Sequence, residues 1–150
     1  MEIDFLRLKD KSVILLAVSL LFEIVSLIVY GMTGLTEFTA ELSTAVFIFG
    51  GISLAFGVCI ILLMFLGIGG EQGRKVFDIG IYIVYLLGLL AWLFYITSEI
   101  NYLTNIFVGI DGTKPTPAFI MTVAFFLIAW ATALISAILY RGTNKTSETK

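Results

Sequence analysis

Long apolar segments alternate with short polar ones along most of the chain. The apolar segments lie at about residues 13–33, 44–68, 79–97 and 119–140. Each is close to the roughly 20 residues that an α-helix needs to cross about 30 Å of hydrocarbon at about 1.5 Å per residue. The pattern therefore predicts an all-α integral membrane protein. We expect a single four-helix transmembrane bundle within residues 1–140, followed by a polar tail at 141–150 that should be disordered.

Composition agrees with this prediction and excludes several kinds of site. Hydrophobic residues make up 59% of the chain, and the mean hydropathy is +1.06. A soluble domain of this length could not bury that much apolar surface in one core. There is no histidine and only one cysteine, so an intramolecular disulfide and the commonest metal ligands are excluded. The sequence predicts no metal, no cofactor and, at a net charge of −2, no nucleic-acid partner.

The distribution of lysine and arginine predicts the orientation. Eight of the nine lie in the N-terminal segment, in the connection between the second and third spans, or in the tail, and Lys114 is the exception. Because basic residues concentrate in cytoplasmic segments, both termini should be cytoplasmic. The opposite, outer side then carries a formal charge of −3, from four acidic residues and one basic residue: Glu37, Glu41, Glu99, Asp111 and Lys114.

The second outer connection is unusually apolar. Residues 100–110 read INYLTNIFVGI, which predicts a segment at the membrane interface or folded back on the bundle as irregular backbone. Asp111-Gly112 predicts a turn with a positive φ. Pro117 should lie in the first turn of the fourth helix, where a missing N–H is tolerated.

Glu23 is the residue that packing explains least. It follows Lys11, at the expected membrane boundary, by twelve residues, so it should lie roughly 18 Å deep, near the midplane. An acid there costs about 2.5–3.5 kcal/mol on insertion scales. No lysine, arginine or histidine occurs in the other spans to neutralise it. It could be protonated and hydrogen-bonded, ionised in a watery cavity, or paired with a ligand or partner protein.

Polar residues on the same helix extend this feature into a stripe. Ser19, Glu23, Ser26 and Tyr30 are spaced i, i+4, i+7 and i+11, which places them on one face. Such a face should contact protein or water rather than lipid. Three hypotheses remain open: a protonated glutamate that donates to a neighbouring helix, a proton or cation site, and a contact with a partner subunit.

Two further sets of residues suggest a cavity and close helix packing. In the third span, Tyr85 and Trp92 lie deep enough to line a cavity, although ordinary packing is the alternative; Tyr82 and Tyr95 are typical interfacial anchors. Small residues at helical spacing predict close helix contacts, within one chain or between copies. These are Gly50, Ser53 and Gly57 in the second span, and Ala129, Ala133 and Ala137 in the fourth.

Two stretches resemble known families. Around Phe22-Glu23-Ile24, over about ten residues, the first span resembles small multidrug-resistance transporters, which are four-span proteins with one essential first-span glutamate. The longer second outer connection, the tail and the orientation bias depart from that family. Residues 102–139, with YLTNIFVGIDGT and PAFI, are similar to small four-span bacterial membrane proteins of unassigned function. This second resemblance implies a multi-pass protein of a bacterial cytoplasmic membrane and no particular activity.

Two classes of function fit these features. The preferred one is a non-enzymatic accessory or assembly subunit in a homo-oligomer or larger membrane complex, because the chain is small and has no recognisable catalytic or phosphate-binding motif. The alternative is a proton- or cation-coupled small-molecule transporter that acts as an oligomer through Glu23. The unpaired acid and the acidic outer side favour this alternative. In both cases the lipid bilayer is the expected partner of the apolar helix surfaces.

Overall fold

The computed structural model describes residues 11–33, 42–65, 70–109 and 114–147, and these form five α-helices with no strand among them. Their bounds are α1 Lys11–Thr33, α2 Thr44–Phe65, α3 Gly70–Ser98, α4 Ile100–Val108 and α5 Pro117–Ser147. Within the described ranges, four helices are long and apolar enough to cross a membrane, over Lys11–Met32, Thr44–Met64, Ile79–Ser98 and Pro117–Leu139. The predicted all-helical fold with four such segments is confirmed.

Two helices are longer than their apolar segments. α3 begins at Gly70, nine residues before the predicted start at 79, and α5 continues to Ser147. The expectation of a disordered tail is therefore wrong for residues 141–147. Extending an existing helix by one residue requires no new nucleation, so a helix can run past the end of its apolar pattern.

The apolar segment at residues 100–108 is helical, which corrects the expectation of irregular backbone. Only Glu99 separates α3 from α4, and the helical hydrogen-bond pattern continues across it: Glu99 N donates to Tyr95 O at 3.1 Å, and Leu103 N donates to Glu99 O at 2.9 Å. α4 ends at Gly109, whose φ of 70° is left-handed and favours glycine. The predicted turn at Asp111-Gly112 lies outside the described residues.

The four long helices form a ring in the order α1, α2, α3, α5. α1 packs on α2 and α5, and α3 packs on α2 and α5. Two hydrogen bonds tie α1 to α5 in an antiparallel arrangement: Ser19 Oγ donates to Ala129 O at 2.7 Å, and Ser136 Oγ donates to Ser12 O at 2.6 Å. These side chain to backbone bonds require the two helices to approach closely.

Small residues occur where the helices approach. A Cβ added at Gly50 would lie 2.9 Å from Leu27 Cδ1, and one at Gly57 would lie 2.6 Å from Leu20 Cδ2. The face of α2 that contains these glycines and Ser53 therefore packs against α1. On α5, the alanines of the fourth-span pattern are all buried, namely Ala129, Ala133 and Ala137.

The interior is divided along its length. At one end lies a mainly aliphatic cluster of Val13, Leu16, Leu20, Ile60, Met64, Phe77, Ile81, Val84 and Ala137. At the other lies an aromatic cluster whose buried members are Tyr30, Val46, Ala91, Tyr95 and Phe126. Between them is a central layer of small and polar residues: Ser19, Glu23, Ser53, Gly88, Ala129 and Ala133. Large side chains fill both ends, so the free space lies in the central layer.

Candidate functional site

Glu23 lies in the middle of α1 and reaches into the central layer. It is 3% exposed, and the residues nearest its carboxylate on α2 and α3 are small. Ser53 of α2 contacts the carboxylate, and a Cβ on Gly88 of α3 would lie 3.5 Å from Glu23 Oε1. A long acidic side chain fits at the centre of the ring because its neighbours there have little volume.

One oxygen of Glu23 is hydrogen-bonded to a serine hydroxyl, which can bond to the carboxyl group whether Glu23 is ionised or protonated. Ser53 Oγ donates to Glu23 Oε2 at 3.0 Å and lies 3.4 Å from Val84 O. A serine hydroxyl has one proton to donate and two lone pairs that accept. When Glu23 is ionised, Ser53 donates to it. When Glu23 is protonated, Ser53 can accept from Oε2 and donate to Val84 O instead.

The other oxygen faces a small cavity. Glu23 Oε1 is buried and has no hydrogen-bond partner among the described residues. About 10 Å³ of the cavity is open to the centre of a water molecule, which is enough for about one water. The lining residues are Ser19 and Glu23 of α1; Val84, Tyr85 and Gly88 of α3; and Phe126, Ala129, Trp130 and Ala133 of α5.

Aromatic rings form one wall of this cavity. Tyr85 stacks on Trp130 with ring centroids 5.9 Å apart, and Trp92 stacks on Trp130 at 6.3 Å. The Nε1 atoms of both tryptophans are buried without a hydrogen-bond partner among the described residues. Trp130 therefore lines the cavity with an aromatic surface, and its buried N–H has no acceptor among the described residues.

The polar stripe on α1 is buried along its whole length, but only part of it belongs to the site. Ser19 and Glu23 line the cavity. Ser26 Oγ donates to the backbone oxygen of Glu23 at 2.8 Å and does not bond to the carboxylate. Tyr30 belongs to the aromatic cluster, where its hydroxyl accepts from Ser43 N at 2.8 Å.

Of the two aromatic residues predicted to line a cavity, Tyr85 does so, whereas Trp92 only stacks behind Trp130. Sequence reasoning missed Trp130 and Gly88. It treated Ser53 only as a packing residue, although Ser53 bonds to the acid. Trp130 follows Ala129 directly, so the small-residue pattern on the fourth span was the signal that could have identified it.

The residues predicted for the outer connection lie apart from the cavity. Glu99 is 2% exposed and lies at the junction of α3 and α4. Lys114 is exposed, and its backbone oxygen accepts from the Tyr102 hydroxyl at 3.0 Å. Asp111 lies outside the described residues.

The described part of the chain contains no group of three histidine, cysteine, aspartate or glutamate side chains that could hold a metal ion. Comparison with protein-family models, curated proteins and solved structures finds no match.

Proposed function

We propose that the protein is a multi-pass protein of a bacterial cytoplasmic membrane, with both termini in the cytoplasm. Many large apolar side chains lie on the outside of the bundle; Leu21 is 61% exposed, Ile28 54% and Ile138 60%. Serines and two glutamates lie inside. In water this distribution would be unfavourable, whereas in lipid it satisfies both surfaces. The lysine and arginine distribution supports the orientation.

Cysteine labelling tests the orientation. In a Cys59→Ser background, which removes the chain's one native thiol, Lys114→Cys should react with a membrane-impermeant maleimide added to intact cells. Thr146→Cys should react only after the cells are opened. Labelling of Thr146→Cys from outside would contradict the orientation.

We further propose that the protein is a proton- or cation-coupled small-molecule transporter that acts as an oligomer, with Glu23 as the ion-binding residue. The observation that carries this proposal is the asymmetry of the carboxyl group. Oε2 is held by Ser53, whose hydroxyl suits both protonation states, while Oε1 is buried beside the cavity without a hydrogen-bond partner in the described part of the chain. A group that must gain and lose an ion needs this combination of a fixed position and an accessible atom.

A purely structural glutamate would be expected to look different. Buried polar atoms are nearly always hydrogen-bonded, because an unsatisfied one costs about 1–3 kcal/mol. A glutamate kept only to join two helices should have both oxygens bonded to protein. Here one oxygen is bonded to Ser53, and the other is buried with no hydrogen-bond partner among the described residues, which favours a role in binding.

The size of the cavity supports an oligomer. Space for about one water does not make a path for a small molecule through a single four-helix ring. Transporters place their sites between repeated units, and a second copy of this chain would supply the other half of such a pair. The substrate path would then lie between the copies, while Glu23 binds the ion inside the ring of each copy.

Glu23→Gln tests this proposal. The amide keeps the shape of the side chain and removes the ionisable group. We expect the purified variant to retain its helicity and oligomeric state. In liposomes loaded with a pH-sensitive dye, the proton flux driven by a membrane potential should fall to that of protein-free liposomes. The matched control is Thr132→Ala, which removes a polar group whose hydroxyl bonds only to the carbonyls of Ile128 and Ala129 on its own helix.

Two results would overturn the transporter proposal. Flux through Glu23→Gln equal to that of the parent would show that Glu23 does not bind the ion. If the variant conducts like the parent and is also more stable, Glu23 is a tolerated hydrogen-bonding residue.

A second candidate, the accessory or assembly subunit, is favoured by the surface of α4. Phe107 is 85% exposed and Val108 67% exposed at the end of this helix, and a partner protein on the outer side would cover them. The liposome experiment separates the two candidates. A transporter conducts alone, whereas a subunit is inactive alone, copurifies with a larger membrane protein and keeps that association in Glu23→Gln.

A further inference from the structure

The cavity beside Glu23 has the size and the polar groups of a site for one water molecule. Its open volume of about 10 Å³ is near the lower limit for a single water, which also needs two to four polar partners. An apolar cavity of this size would stay dry. This one is bordered by a carboxylate oxygen, an indole and a serine hydroxyl, those of Glu23, Trp130 and Ser19.

The donors and acceptors at this cavity are complementary to water. Glu23 Oε1 can accept, Trp130 Nε1 can only donate, and both are buried without a partner among the described residues. Ser19 uses its proton on Ala129 O at 2.7 Å and retains lone pairs that can accept. A water there would accept from the indole and donate to the acid and to the serine.

We propose that one water molecule bridges Glu23 Oε1 and Trp130 Nε1, and that the ion taken up by this site is a proton rather than a metal or organic cation. The proton assignment rests on the proposed function, while the water bridge stands on the cavity alone. Hard cations such as Ca²⁺ and Mg²⁺ require about six or more oxygen ligands. Apart from the oxygen bonded to Ser53, the side chains that line this cavity offer at most three oxygens, those of Glu23, Ser19 and Tyr85. An organic cation exceeds its volume.

The bound water gives the proton a route to the acid. A hydronium ion in the cavity transfers one proton to the ionised carboxylate, which forms one O–H bond and leaves a neutral water in place. If the proton lies on Oε1, the water accepts a hydrogen bond from Oε1–H. If the proton lies on Oε2, Ser53 Oγ accepts a hydrogen bond from Oε2–H and donates its own proton to Val84 O, 3.4 Å away. Each buried polar atom at Glu23 therefore has a partner in both states.

Few groups near the site can change charge. From α2 the acid faces Ser53, from α3 it faces Tyr85 and Gly88, and from α5 it faces Trp130 and two alanines. Tyr85 is the one other titratable group in the lining. A pH response of Trp130 that survives in Tyr85→Phe therefore belongs to Glu23.

The indole N–H of Trp130 is the reporter for the test. The chain has two tryptophans, so Trp92→Phe leaves Trp130 alone while keeping an aromatic ring. The protein is labelled with nitrogen-15 tryptophan and studied by NMR in lipid nanodiscs. We expect magnetisation transfer from water to the Trp130 indole N–H, and a chemical shift of that N–H that changes with pH. Glu23→Gln should keep the water contact and lose the pH response. Exchanging sodium for potassium at fixed pH should change neither signal.

Gly88→Ala fills the cavity without a clash. Its Cβ would lie 3.5 Å from Glu23 Oε1 and 3.8 Å from Ser53 Oγ, which is ordinary contact. The methyl group should exclude the water and abolish the transfer to the indole. Gly51→Ala is the control, because nothing lies within 4 Å of the added Cβ, and the transfer should remain.

The outcomes are separable from those of the transport assay. No water transfer to Trp130 in the parent, or an unchanged transfer in Gly88→Ala, overturns the water bridge whatever the liposomes show. A shift that follows sodium or potassium rather than pH overturns the proton assignment. A water signal that is present while Glu23→Gln conducts normally would leave the bridge established and the proposed function wrong.

Discussion

The two ends of the bundle interior are held together in different ways. In the aliphatic cluster, branched side chains fit against glycines: Leu20 packs on Gly57, and Ile60 packs on Gly80, where an added Cβ would lie 2.6 Å from Ile60 Cδ1. In the aromatic cluster, rings contact rings, as in the edge-on pair of Tyr30 and Tyr95 at 5.1 Å. The first end depends on shape, and the second combines stacking with hydroxyl groups.

At the aromatic end, tyrosine hydroxyl groups also hold the connections between helices. Tyr30 accepts from Ser43 N, just before α2 begins. Tyr102 of α4 donates to Lys114 O at 3.0 Å and accepts from Thr116 N at 2.9 Å. A buried tyrosine offers an apolar ring and a polar tip, so it can pack inside the bundle and also fix a connection. The aliphatic residues can only pack, and this difference predicts where substitutions act.

The largest effect is expected at the aliphatic end. In Gly57→Ala the added Cβ would lie 2.6 Å from Leu20 Cδ2 and 3.2 Å from Leu20 Cγ. Leu20 is 4% exposed and has little room to move, so the free energy of unfolding should fall by about 1–3 kcal/mol. Thermal unfolding in detergent, followed by circular dichroism, measures the change.

Gly51→Ala is the matched control, since it lies on the same helix and its added Cβ meets nothing within 4 Å. It should be neutral or stabilising by roughly 0.5–1 kcal/mol, because glycine is unfavourable inside a helix. Equal stability of the two variants would mean that the aliphatic end tolerates the extra volume and that shape does not determine its packing.

The sequence could predict the helices well and their ends poorly. Apolar length alone identifies segments that can cross a membrane, and all four exist as helices. It says little about polar flanks, so the start of α3 at Gly70 and the end of α5 at Ser147 were not anticipated. α4 was missed as a helix because its nine residues are fewer than the roughly 11–18 over which periodicity is read.

Of the candidate site, the sequence could predict Glu23, because an acidic residue conflicts with its apolar surroundings. A glutamate in an apolar segment is conspicuous in any sequence, and so is the face that it shares with Ser19. The partners of Glu23 come from other helices. The periodicity of one helix does not show which residues of a second helix it contacts. Ser53 and Gly88 could be assigned to the site only after the order of the ring was known, whereas Trp130 adjoins the alanine pattern that the sequence already shows.

A smaller and more local effect is expected at the aromatic end, from Tyr102→Phe. The ring is 3% exposed and packs edge-on against Phe119 at 5.2 Å, and the variant keeps that contact. It removes the two hydrogen bonds to Lys114 O and Thr116 N. Each is worth about 0.5–1.5 kcal/mol net, so the residues that lead into α5 should loosen while the aliphatic end stays unchanged.

Hydrogen–deuterium exchange measures this loosening. The Thr116 amide should exchange faster in Tyr102→Phe, whereas amides of α1 around Leu16 and Leu20 should keep the exchange rate of the parent. Tyr82→Phe is the control: it removes a hydroxyl from a side chain that is 38% exposed, and it should alter neither region. If exchange rose equally in both clusters, the two ends would unfold as one unit. The hydroxyl of Tyr102 would then stabilise the whole bundle, and its bonds to the connection would no longer distinguish the aromatic end from the aliphatic one.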